Sequence, residues 1–126
     1  MSTFISASII ALSAGRIALG LAPFVAAAPS ARLVGFPAEH DNATARLMGR
    51  LFGVRDIGLG VLGLYALAHP EVRTFIFLLN AAMDAGDLVA VAMALGGRAG
   101  IDRGAWRSAA AAATGGLGWL LLSWLA

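Results

Sequence analysis

Apolar residues run along this chain in four long blocks, interrupted by two polar segments and one short turn. The blocks cover residues 4–28, 43–69, 72–95 and 105–126. Each reaches or exceeds the roughly 20 residues that an α-helix needs to cross a bilayer. The pattern predicts an all-α fold, a four-transmembrane-helix bundle forming a single integral membrane domain. Pro29 is expected to end the first helix, and Asp41 or Asn42 to cap the second. At the turn His69-Pro70-Glu71, proline suits a first helical position and glutamate the positive end of a helix dipole. So short a link makes the second and third helices antiparallel neighbours.

Polar positions inside the blocks keep helical spacing. Asn80, Asp84 and Asp87, four and three residues apart, share one face of the third helix. In the second, Gly49, Gly53, Asp56, Gly60 and Gly63 form a stripe of small residues, the pattern that lets membrane helices approach closely, with a carboxylate set into it. Arg46 and Arg50 flank the stripe, while Arg55 points to a different side. Arg16 of the first helix lies between Ser13 and Gly20, with Pro23 in the last turns. The fourth block has no charge beyond Arg107 in its first turn, and reads as a packing and anchoring helix. Trp119 and Trp124 near its end suit the headgroup boundary.

The midpoints of the first three spans fall near residues 16, 56 and 84, so Arg16, Arg55, Asp56 and Asp84 share one depth. Asp87 and Arg50 are both displaced towards the polar segments. Unpaired, these six charges would cost roughly 15–20 kcal/mol at helix-centre values, more than the net stability of a small protein. Pairing within a three-helix core removes that cost. The expected couples are Arg16 with Asp84 or Asp56, and Arg50 with Asp87. Arginine suits the task because its guanidinium grips a carboxylate through two parallel hydrogen bonds.

Composition agrees with the pattern. Of the 126 residues 60% are hydrophobic and 13% charged, with a mean hydropathy of +0.83, where soluble domains carry about a quarter charged residues. The formal net charge of +2 gives no reason to expect nucleic acid as a partner. Cysteine is absent, which removes disulfides and thiolate metal sites. Neither histidine lies in the interior of a span, and consecutive loop residues such as Glu39-His40-Asp41 do not converge on one ion without further ligands, so no cofactor and no metal are expected. No positive region precedes the first apolar block, so it reads as a retained helix rather than a signal peptide. Arg32, Arg46, Arg98, Arg103 and Arg107 lie on the side of segments 29–42 and 96–104, against Arg73 alone on the side of both termini. That bias predicts a multi-pass protein of the cell membrane with cytoplasmic loops 29–42 and 96–104 and non-cytoplasmic termini.

The runs Gly15-Arg16-Ile17-Ala18-Leu19-Gly20, Gly49-Arg50-Leu51-Phe52-Gly53-Val54-Arg55-Asp56-Ile57-Gly58-Leu59-Gly60 and Asp84-Ala85-Gly86-Asp87 resemble a family of small bacterial integral membrane proteins, common in actinobacteria and known only as a domain of unknown function. The resemblance spans nearly the whole chain. It implies a four-helix membrane protein and brings no reaction with it.

Intramembrane ionisable residues are functional candidates by default. Arg16, Arg50, Arg55, Asp56, Asn80, Asp84 and Asp87 are therefore the ligand-binding or proton-handling candidates, with no catalytic residue assigned. The leading reading is a bilayer-embedded site for a small lipophilic or anionic molecule, held by the arginines. A proton-coupled small-molecule transporter, with Asp84 or Asp87 titrating, is the second, and four helices suffice for one as a homo-oligomer. A membrane-embedded cyclase or isomerase using an aspartic acid is the third, weakened by arginines that keep carboxylates ionised. The fourth is an accessory subunit whose charge pairs are purely structural, and for Asn80 alone an interhelical hydrogen bond is favoured over ligand contact.

Overall fold

The computed structural model describes residues 1–97 and 100–126; Arg98 lies outside them. Five α-helices follow in order, α1 (Thr3–Val25), α2 (Ala27–Val34), α3 (Ala43–Ala68), α4 (Pro70–Gly96) and α5 (Asp102–Leu125), with one 3-10 turn at Ala38–His40 and no strand among the described residues. The four long helices are long and apolar enough to cross a membrane.

Local chemistry sets the ends. Ser2 caps α1 by accepting from the Ile5 amide, and the Asn42 side chain caps α3 by accepting from the Ala45 amide at 2.9 Å. Asp41 instead takes both Nε and Nη2 of Arg46, at 2.8 and 2.9 Å, and those hydrogen bonds hold its carboxyl below the usual carboxylate range. One residue, His69, separates α3 from α4. Arg73 of α4 donates to the carbonyls of Ala66 and Leu67, satisfying the last turn of α3.

The first helix does not end at Pro29. It stops at Val25, two residues after Pro23, whose missing amide leaves a carbonyl one turn back without a donor. The chain breaks at Ala26, and Pro29 falls in the first turn of α2, where an α-helix needs no amide from it. The stretch expected to be loop therefore contains a helix, which closes at Gly35 with φ 111°, a conformation that favours glycine.

The bundle is two helix pairs, α1 on α3 and α4 on α5. The glycine stripe makes the first seam: a Cβ on Gly20 would stand 2.5 Å from the Gly53 carbonyl oxygen, and one on Gly60 would stand 2.6 Å from the Ile17 side chain. Ile9, Ala66, Ile76, Phe77, Trp119 and Leu122 form an apolar cluster that joins the pairs on the side of the termini. Trp119 is thus a core residue, its ring 5.5 Å from that of Phe77, and of the two tryptophans near the end of α5 it is Trp124 that is exposed as a boundary residue would be.

Towards the loops the same inward faces open. Along the α3 face that carries Arg55, Ala66 and Leu59 are buried at 0% and 7% with Leu62 39% exposed between them, whereas Phe52 and Met48, nearer the loops, are 40% and 55% exposed with no buried residue between them. Every buried residue of α4 lies at or before Asp84. The helices therefore part from their hairpin as a wedge, wide at the loop end.

Candidate functional site

Five charged side chains meet where the wedge begins. Arg16 donates from Nη1 to Asp56 Oδ1 at 3.1 Å and from Nη2 to Asp84 Oδ2 at 2.5 Å. Arg55 donates to both oxygens of Asp87, at 2.9 and 2.8 Å, and more weakly to Asp56 Oδ1 at 3.4 Å. The result is one alternating chain, Asp84–Arg16–Asp56–Arg55–Asp87. It is graded in depth: Arg16, Asp56 and Asp84 are buried, whereas Arg55 and Asp87 are 30% and 29% exposed.

Helical geometry explains each placement. Asp56 belongs to the small-residue stripe that seats α3 on α1, so it faces Arg16. Arg55, about 100° round the same helix, faces α4 instead. Asp84 and Asp87 share a face of α4 and are met in turn by the two arginines. Two of these ion pairs, Arg16–Asp84 and Arg55–Asp87, tie the α1/α3 pair to the α4/α5 pair.

Arg50 does not take Asp87. It stands about 140° round α3 from Arg55, on the side of α1. There its Nε reaches the Phe24 carbonyl at 3.4 Å, in a last turn whose carbonyls lack intrahelical donors. It is exposed and has no carboxylate partner among the described residues. The network accordingly sets two guanidiniums against three carboxyls, a formal charge of −1, where the sequence pattern had suggested balance.

Asn80, buried one turn before Asp84, donates to the carbonyls of Ile76 at 3.1 Å and, across the helix interface, of Leu59 at 3.5 Å. Its Oδ1, the Oγ of Ser13 one turn before Arg16, and the Nε of Arg55 are buried without a hydrogen-bond partner among the described residues. The fourth span contributes what sequence reasoning passed over. A Cβ on Gly115 would stand 3.0 Å from Asp84 Oδ2, and one on Gly116 would stand 3.1 Å from Asp84 Cβ, so the backbone of α5 lies directly over this carboxyl. The signal was there to find: a glycine pair breaks the alanine run at mid-span.

Two apolar grooves open on the outer surface. One of about 330 Å³ runs between α4 and α5, lined by Ala81, Ala85, Leu88, Ala112, Gly116 and Leu120 among others. The second, about 370 Å³, lies between α1 and α5 along Leu12 and Gly118. Among the described residues no charged side chain lines either groove, although Gly116 separates the first from Asp84.

Four membrane-length helices around buried Arg–Asp pairs are the architecture of a multi-pass membrane protein. The chain belongs to the family DUF4267, a domain of unknown function, whose model matches residues 13–122 and so takes in all seven candidate residues. No curated protein and no solved structure matches it.

Proposed function

We propose that this is an integral protein of the cell membrane, one membrane domain, whose Arg–Asp network binds and releases a proton within the bilayer. The observation that carries the reading is the excess carboxyl. Five groups from α1, α3 and α4 carry −1 when all are ionised, and the backbone of α5 lies against Asp84 at Gly115 and Gly116. An unbalanced charge in a low-dielectric interior is costly, and one proton shared by the network removes it. Coupled groups this close take up that proton as a unit rather than as single residues.

An anion is less favoured at the same place, because both guanidiniums are already engaged by aspartates. The exposed Arg32, Arg46, Arg103 and Arg107 on the loop side support cytoplasmic loops and non-cytoplasmic termini, and the resemblance to small actinobacterial membrane proteins supports the cell membrane as the location. Proton-coupled handling of a small molecule follows more directly from this site than an enzymatic role.

The test is infrared difference spectroscopy of the protein in nanodiscs, stepped from alkaline to mildly acid pH. The expected result is a protonated-carboxyl band amounting to one proton per chain, altered by Asp84→Asn and by Asp87→Asn. Three carboxyls that remain ionised throughout would overturn the proposal.

A further inference from the structure

The wedge between α3 and α4 combines apolar walls with a charged apex. Exposed Met48 and Phe52 stand on its α3 side by their helical position, half-buried Val91 and Leu95 on its α4 side, and the Arg55–Asp87 pair ties the two helices at the narrow end. Val91 and Leu95 continue the α4 face of Asp84 and Asp87 at spacings of four, and Met48 and Phe52 continue the α3 face of Arg55. We infer that this wedge binds a lipophilic monocation, seated with its charge beside Asp87 and its apolar body between the two helices. The inference rests on the excess carboxyl on which the proposed function stands, and adds the class of molecule that competes with the proton for it.

Charge complementarity selects this occupant. A network at −1 is neutralised by one positive charge and by no neutral or anionic ligand. Apolar walls select against a small hydrated ion, which would give up its water for little more than one carboxylate already paired with Arg55. Phe52, whose ring holds the Arg55 guanidinium at 4.9 Å, offers the aromatic surface that favours cations. The balance of exchange is simple: a monocation enters, the network's proton leaves, and the network is neutral in both states.

The experiment measures binding of tetraphenylphosphonium to the protein in nanodiscs by equilibrium dialysis, with proton release read by a pH indicator. The expected result is saturable binding that releases up to one proton per cation. The apparent Kd should rise about tenfold for each unit of falling pH once the network is protonated. Val91→Trp, which fills the wedge and replaces none of the five charged groups, should abolish cation binding and leave proton uptake intact; Asp87→Asn should lose both. Because the chain has no cysteine, Val91→Cys asks in isolation whether a second copy covers the wedge. Disulfide-linked dimers in high yield would overturn the inference, as would cation binding that is unsaturable or indifferent to Val91→Trp. Intact proton uptake without cation binding sinks only this inference, whereas absent proton uptake sinks the reading beneath it.

Discussion

Arg55 grips both carboxylate oxygens of Asp87, at 2.9 and 2.8 Å, across two helices that diverge from a one-residue hairpin. It is the last polar tie between α3 and α4 before the wedge opens. Two parallel hydrogen bonds need a planar fork, which lysine lacks. Arg55→Lys should therefore lower stability by about 1–2 kcal/mol despite conserving charge, read as the midpoint of thermal unfolding in detergent. An unchanged midpoint would mean that the pair contributes nothing to holding α3 against α4.

Arg16 and Arg50 are both arginines within a span, and the structure separates them sharply. Removing Arg16 strands Asp84 in the interior and leaves Asp56 only the long contact with Arg55, which should cost about 3–5 kcal/mol for Arg16→Ala. Arg50→Ala loses one long hydrogen bond at an exposed site and should stay within about 0.5 kcal/mol of the parent. Denaturant titration of the two variants side by side checks the ranking. Equal losses would restore the balanced count of three arginines against three aspartates.

The glycines divide in the same way. A Cβ on Gly53 would overlap the Gly20 carbonyl oxygen, while one on Gly58 or Gly86 meets nothing within 4 Å. Gly53→Ala should accordingly cost about 1–3 kcal/mol by pushing α1 off α3. Gly58→Ala and Gly86→Ala should be neutral or stabilise by up to about 1 kcal/mol, through helix propensity. Gly115→Val belongs with the first group and should also alter the protonated-carboxyl band, since α5 would be moved off Asp84.

The four spans and the shared depth of Arg16, Asp56 and Asp84 were legible in the sequence because both follow from hydropathy and a fixed rise per residue. Arg16 takes both of the partners expected for it. What the pattern did not yield was rotational: Arg50 and Arg55 lie on opposite sides of α3, and only the packing of α1 and α4 decides which of them meets Asp87. Nor did it yield α2, because a proline that ends one helix and a proline that begins the next look alike in a one-dimensional pattern. The role of α5 was hidden for a related reason, since glycines carry no chemistry of their own and matter here through the carboxyl that they cover.

Asp41 and Arg46 make the last test, outside the charged core. The Arg46 hydrogen bonds, and more weakly the charges of Arg46 and Arg32, hold Asp41 below its ordinary value of 3.8 when folded. A carboxyl so depressed binds fewer protons folded than unfolded, so its contribution is complete above that ordinary value and is lost as pH falls through the folded one. Lowering the pH through this acid window should loosen the first turn of α3, which Asn42 alone would then cap. Amide exchange at Ala45 and Arg46 is the measurement: it should accelerate relative to the α3 interior below the window in the parent chain. In Arg46→Ala the acceleration should already be present at neutral pH and change little on acidification. A turn whose protection is the same in both chains at every pH would show that Asn42 suffices and that the Asp41–Arg46 pair adds nothing to the start of the helix.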